Sequence, residues 1–143
     1  YPPNVPTAKR ALYMGRALAE AVRKAPQDLR VAVIASGGLS HFVVDEGLDR
    51  TILHAFAEGD SATLAATPRE ALNSGSSEIL NWIMAAGAIG ESGLSWHAYE
   101  PLYRTPAGTG VGAAFVEWAA RETPSPKDEV SVATSMQGRG DNT

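Results

Sequence analysis

The sequence predicts an α/β fold in which a layered sheet with flanking helices forms an incomplete part of a larger single domain. A helical stripe of apolar residues over 7–25 comes first, and a short run of apolar residues follows at 31–35. Apolar and polar residues then alternate over 94–99, which is typical of a half-buried strand. Helices and strands in this order favour a sheet covered by helices.

Composition bounds the functions open to the chain. Its 143 residues, 44% of them hydrophobic and 20% charged, suit one domain with its own core. The net charge of −4 argues against a nucleic acid or an anionic membrane as the main partner. The absence of cysteine excludes disulfides and thiolate ligands, and no apolar run approaches the roughly 18 residues of a membrane span, so we expect a cytoplasmic protein. Because the chain starts at Tyr1 and its earliest methionine, Met14, lies within a helical stretch, we expect a piece of a longer protein.

The first half of the chain alternates between helices and a strand. Thr7 is a good N-cap for a first helix, which Pro26 ends. The run from Arg30 to Ala35 is continuously apolar after its first residue, which predicts a strand covered by helices on both faces. Helical spacing after Asp45 predicts an amphipathic helix that ends at 59–60.

The second half contains a long helix and at least one strand. Short helical turns are predicted over 61–73, and the serines at 74–77 offer N-caps for a mostly buried helix over 78–89. Pro101 either ends the strand at 94–99 or places it at a sheet edge. The remaining segments are a glycine loop over 105–112, an apolar segment of open type over 113–120, and a poorly ordered tail over 121–143.

The most informative motif is the sequence SGGLSH, from Ser36 to His41, directly after the predicted strand. Gly37 and Gly38 allow a sharp turn whose amides point into a cleft, and the carboxyl ends of strands are where open α/β sheets bind ligands. His41 would lie at the mouth of that turn. The alternative is that the glycines only make a tight connection and that His41 is an incidental polar residue.

Glu78 is the second candidate, because it opens an otherwise apolar helix where the helix dipole favours negative charge. A carboxylate at this position is a good ligand for a hard metal ion. The alternative is an ordinary glutamate of the first turn that helps to cap the helix.

The other candidate residues have ordinary explanations. His54 lies away from the apolar stripe of its helix and is predicted to be solvated, and His97 is predicted to be a hydrogen-bonded strand residue. The segment 108–113 matches a dinucleotide fingerprint formally, but no βαβ unit follows it. The tripeptide at 139–141 spells an adhesion motif in the predicted tail, where a chance match is the better explanation.

Four segments taken together resemble the class III extradiol ring-cleavage dioxygenases. They are YPPNVPT at 1–7, VAVIASGGLSH at 31–41, GSSEILNWIMAAGA at 75–88 and YRTPAGTG at 103–110. The resemblance implies that residues 1–120 are the carboxyl-terminal half of a catalytic domain.

The resemblance also implies a chemistry. In this family two histidines and one glutamate hold a mononuclear non-haem Fe(II), and a further histidine acts as acid and base. Glu78 matches the glutamate ligand and His41 matches the catalytic histidine, whereas nothing here matches the two histidine ligands, which then lie outside this chain. The implied reaction is extradiol (meta) cleavage of a catechol such as protocatechuate or gallate by dioxygen, with Gly37, Gly38 and Ser40 near the substrate or oxygen. Implied partners are a small α subunit or further copies of the chain.

Two other functions stay open at this point. One is a non-catalytic structural or regulatory subunit of the same fold that has kept half of a site. The other is an unrelated hydrolase-like or nucleotide-binding domain that uses the glycine turns. The hydrolase reading is weakened because Ser40 and His41 are adjacent and lack an evident third acid.

Overall fold

The first three helices of the computed structural model, which describes residues 4–27 and 30–118, begin at capping residues. The Thr7 hydroxyl accepts a hydrogen bond from Arg10 N at 3.2 Å, and the Asp45 carboxylate accepts one from Leu48 N at 2.9 Å. The helices are α1 (Ala8–Arg23), α2 (Glu46–Glu58), α3 (Ser61–Ala66) and α4 (Ile79–Ile89), with 3₁₀ helices at Arg69–Leu72 and Ser74–Glu78 before α4. These elements confirm the predicted helices. In the described residues, no helix is both long and apolar enough to cross a membrane.

Three strands form one antiparallel sheet. They are β1 (His41–Val43), β2 (Leu94–Tyr103) and β3 (Thr109–Trp118), in the order β1-β3-β2. Pro101 lies within the edge strand β2, where a missing amide is tolerated. The apolar segment over 113–120, whose type the sequence left open, is therefore strand as far as Trp118. The prediction of a loop over 105–112 is wrong from Thr109 onward, where β3 begins. The predicted α/β class, a sheet with flanking helices, is confirmed.

The predicted strand from Arg30 to Ala35 is wrong for the described chain. Residues 30–36 have no regular secondary structure. Val31 is 50% exposed and Ile34 is 87% exposed, so helices do not cover both faces of this segment. A strand exists through hydrogen bonds to a neighbouring strand, and no described strand pairs with these residues. Apolar composition alone was therefore a poor guide here.

A β-bulge changes the faces of strand β2. The pairing register shifts between Leu94, which lies opposite Trp118, and Trp96, which lies opposite Glu117. One extra residue reverses the alternation of side chains beyond it. Leu94 and Tyr99 therefore both pack against the core, and Trp96 is 54% exposed instead of sharing the face of Leu94. The simple alternation at 94–99 predicted the strand correctly and its faces wrongly.

Helices α1 and α4 cross in backbone contact. A Cβ atom added at Gly15 would lie 1.9 Å from Met84 O, and one added at Gly87 would lie 2.2 Å from Leu12 O. Each helix thus supplies a glycine beneath a carbonyl group of the other. Any larger side chain at either position would force the two helices apart.

The replacement Gly87→Ala is expected to lower the free energy of unfolding by about 1–3 kcal/mol, because its methyl group must displace the backbone of α1. Thermal and urea unfolding followed by circular dichroism measure the change. Gly47→Ala is the matched control: it places a methyl group on α2 at 3.4 Å from the nearest atom, and alanine favours a helix over glycine by up to about 1 kcal/mol. Equal stabilities of the two variants would contradict the role of this contact.

Candidate active site

The SGGLSH motif forms a sharp turn that leads into β1. Gly37 has φ of +121°, a region that favours glycine. Two backbone hydrogen bonds join this turn to β3, since Leu39 N donates to Gly112 O at 2.9 Å and Gly112 N donates to Ser40 O at 2.8 Å. His41 is consequently the first residue of β1. The turn precedes a paired strand instead of following one.

The turn brings His41 and Glu78 together, although 36 residues separate them along the chain. His41 Nε2 lies 3.4 Å from Glu78 Oε2, and Gly38 N donates a hydrogen bond to the same carboxylate oxygen at 2.9 Å. Glu78 makes no capping hydrogen bond to α4. Its carboxylate is turned away from the helix start and toward the SGGLSH turn, so the alternative of a capping glutamate is wrong.

The hydrogen bonds of His41 fix its orientation. Nδ1 lies 2.9 Å from the carbonyl oxygen of Leu39, and the backbone N donates to Ser76 Oγ at 2.9 Å. A carbonyl oxygen only accepts hydrogen bonds, which favours the tautomer with the proton on Nδ1. In the neutral ring, Nε2 then presents its lone pair on the side of Glu78. This arrangement suits Nε2 for accepting a proton.

Two glycines make room for the pair. A Cβ atom added at Gly37 would lie 2.4 Å from Glu78 Oε2, and one added at Gly75 would lie 2.6 Å from His41 Cβ. Because any other residue would collide with one of the two side chains, glycine at these positions is needed for their close approach.

The amides of the turn are already engaged within the chain. Those of residues 38, 39 and 40 donate, in order, to Glu78 Oε2 at 2.9 Å, Gly112 O at 2.9 Å and Asp49 Oδ1 at 2.8 Å. The hypothesis of amides free to point into a cleft is therefore wrong for these three residues. The Ser40 side chain is likewise buried, whereas Gly37 and Gly38 border the pair of His41 and Glu78.

Asp49 is a buried residue of this region that the sequence reasoning missed. Its side chain is inaccessible to solvent, and its Oδ2 accepts hydrogen bonds from Ser40 Oγ at 2.7 Å and from the Tyr99 hydroxyl at 2.8 Å. Burial and the bond to Asp49 both raise the pKa of Tyr99, which keeps its hydroxyl a donor. A sequence signal existed: Asp49 lies on the same stripe of α2 as the buried Ile52 and Phe56.

A cavity of about 880 Å³ opens beside Glu78. Phe42 lies at its wall with φ of +66° and with 67% of its surface exposed. A positive φ in a non-glycine residue is a strained backbone of the kind found at functional sites. The remaining wall includes the start of α1, Arg69 and the polar residues Asn73, Ser74 and Ser77. The residues that line this space therefore include a phenylalanine, an arginine and a glutamate.

The other polar candidates do not join this site. His54 is exposed, as predicted, and His97 is exposed on β2. Among the described residues there is no cluster of three histidines or acids that could hold a metal ion. The glycine fingerprint at 108–113 lies in the turn and strand of the β2-β3 hairpin, where strand β3 stands in place of the helix that such a fingerprint opens. The tripeptide at 139–141 and the predicted tail over 121–143 lie outside the described residues.

A comparison with known families matches residues 3–116 to the catalytic LigB subunit of aromatic ring-opening dioxygenase. The chain belongs to this family. The match includes the SGGLSH turn, Glu78 and most of the β2-β3 hairpin. The resemblance seen in the sequence motifs is confirmed at the level of the family.

Among individual proteins, the chain is similar to gallate dioxygenase of Pseudomonas putida strain KT2440, with 27% identity over 135 residues. The alignment covers 87% of this chain and 39% of that protein. The chain thus spans well under half the length of its relative.

Replacement of Gly37 by alanine is expected to destabilise the fold more than the same replacement at Gly108. Both residues have positive φ, of +121° and +83°, but only the methyl group at 37 would meet Glu78, whereas the one at 108 has no neighbour within 4 Å. The strained backbone is expected to lower the free energy of unfolding by about 1 kcal/mol in both variants. Gly37→Ala is expected to lower it further, because its methyl group must displace the Glu78 carboxylate. Thermal unfolding of the intact natural protein measures both, and equal losses would refute the close contact.

Proposed function

We propose that this chain carries part of the active site of a non-haem Fe(II)-dependent enzyme that opens a catecholic ring by extradiol (meta) cleavage with dioxygen. The observation that supports it most is the approach of His41 Nε2 to within 3.4 Å of Glu78 Oε2, beside a cavity of about 880 Å³. Both residues were singled out by motifs that resemble the class III extradiol dioxygenases, and the family match contains both.

Glu78 fits the role of one iron ligand. Its side chain is 43% exposed, and one of its oxygens accepts a single amide hydrogen bond from Gly38, so lone pairs remain available. The described residues supply no full set of three ligands, and the two histidine ligands would come from outside this chain. When bound, the metal would acidify the catechol hydroxyls and hold the two reactants together.

His41 fits the role of acid and base. With Nδ1 held at the Leu39 carbonyl, proton exchange is directed to Nε2. In the proposed reaction Nε2 accepts the proton of a catechol hydroxyl, and the imidazolium that results returns one proton as the ring opens. The Glu78 carboxylate at 3.4 Å would stabilise that imidazolium while it exists.

The cavity fits an aromatic acid. Phe42 and Arg69 both line this space. A guanidinium recognises a carboxylate through paired hydrogen bonds, so the proposed substrates are those that carry one, such as protocatechuate and gallate. The relative's printed name, gallate dioxygenase, agrees with this class.

The activity can be tested in the intact natural protein after anaerobic loading with Fe(II). Wild type is expected to consume oxygen and form a ring-opened product from protocatechuate or gallate. His41→Ala is expected to lose roughly 10²–10⁴-fold in kcat with iron still bound, because it lacks the proton acceptor. Glu78→Ala is expected to lose both activity and bound iron, measured by elemental analysis.

His97→Ala is the control for the histidine change, since His97 is exposed on β2, and it is expected to keep wild-type activity. Iron binding without cleavage of any catechol would refute the proposed reaction. Failure of the wild type to bind iron would instead favour a non-catalytic subunit of the same fold.

Arg69→Gln tests the proposed class of substrate. The loss of a charge-assisted hydrogen bond, worth about 1.5–3 kcal/mol, predicts that KM for protocatechuate rises by roughly 10- to 100-fold, whereas KM for catechol, which lacks the carboxylate, stays constant. Arg16→Gln is the control, because Arg16 lies on α1 and bonds to Ser61 away from the cavity. Equal rises for both substrates would contradict recognition of the carboxylate by Arg69.

A further inference from the structure

Asp49 is held by three hydrogen bonds in the interior. Ser40 N donates to Oδ1 at 2.8 Å, and Ser40 Oγ and the Tyr99 hydroxyl donate to Oδ2 at 2.7 and 2.8 Å. Burial of a carboxylate costs free energy unless donors compensate for the lost water. Gly112 leaves space for the group, since a Cβ atom there would lie 1.9 Å from Oδ2. A buried carboxylate with two of its three bonds to one residue is well suited to hold that residue in place.

The residue that Asp49 holds is the immediate neighbour of His41. Ser40 Oγ also accepts a hydrogen bond from Asp45 N at 2.9 Å, so its hydroxyl links α2 to the turn through both donor and acceptor. On the other side, Leu39 N donates to Gly112 O at 2.9 Å. The turn is therefore clamped between α2 and β3.

The clamp reaches the imidazole ring through the Leu39 carbonyl. That oxygen lies 2.9 Å from His41 Nδ1, and its position depends on the peptide between Leu39 and Ser40, whose N–H donates to Asp49 Oδ1. Both ends of one peptide group are thus used: its N–H by the carboxylate of Asp49 and its C=O by the ring of His41.

We infer that Asp49 is a positioning residue for His41, which fixes the ring orientation and the Nδ1–H tautomer through the peptide between Leu39 and Ser40. The catalytic meaning of this assignment rests on the proposed function, whereas the orientation of the ring does not. Tyr99 supports the carboxylate from β2, and its raised pKa keeps it protonated as the donor.

The test compares Asp49→Asn with Glu46→Gln in the intact natural protein. Both variants change an acid on α2 to an amide. In each case the acid accepts a hydrogen bond from a tyrosine hydroxyl, Asp49 from Tyr99 and Glu46 from Tyr103. Only Asp49→Asn replaces a carboxylate that accepts hydrogen bonds from the SGGLSH turn. Long-range ¹H–¹⁵N spectra of the His41 ring report the tautomer, and kcat and KM are measured with protocatechuate.

Asp49→Asn is expected to lose the Nδ1–H pattern of His41 and about 10- to 100-fold in kcat, with KM changed less than threefold. Glu46→Gln is expected to keep the wild-type spectrum and rate. A wild-type ring spectrum in folded Asp49→Asn would overturn the inference, as would equal losses in both variants.

If Asp49→Asn does not fold, Asp49→Ser makes the same test, because it removes Oδ1, the acceptor of Ser40 N, without introducing the N–H donors of an amide. A mixed tautomer of His41 in Asp49→Ser supports the inference, and an unchanged ring spectrum overturns it. If the wild type opens no aromatic ring, the proposed function fails, and the ring spectra still decide whether Asp49 positions His41.

Discussion

Asp49 sets the geometry of the site through a carboxylate that water does not reach. Such a group is stable only where fixed donors replace its hydration shell, and here they come from the SGGLSH turn and from β2. The effect is mutual, because the Asp49 carboxylate in turn holds these donors in place. As a result, α2, the turn and the sheet have one mutual arrangement, and the pairing of His41 with Glu78 depends on it.

An aromatic cluster in the core joins the elements that support the site. Phe56 anchors the core by stacking on Trp82 at 6.2 Å and meeting Trp118 edge-on at 5.4 Å, which joins α2, α4 and the end of β3. Glu78 precedes α4 directly, and His41 lies in β1. The two side chains are thus held by elements joined to this core, α4 directly and β1 through its pairing with β3, and Glu78 also lines the open cavity.

Local chemistry explains what could be predicted from the sequence. Caps and apolar spacing placed α1 and α2, and glycine and acid motifs singled out His41 and Glu78. Long-range contacts explain the rest. The run containing Val31 and Ile34 has the composition of a strand and no described partner, and the bulge near Trp96 depends on pairing with β3. Asp49 carried a readable signal, an acid on an apolar stripe, but its partners lie in distant segments.

The glycine contacts between α1 and α4 join two helices that begin beside the cavity. Thr7 and Ala8 at the start of α1 face the same space as Ser77 and Glu78 just before α4. Because backbone atoms meet at Gly15 and Gly87, the closest approach of the two helices is set by main-chain dimensions and hardly at all by side-chain choice. Two walls of the cavity thus extend from a helix crossing about two helical turns away, at glycines that do not line the cavity.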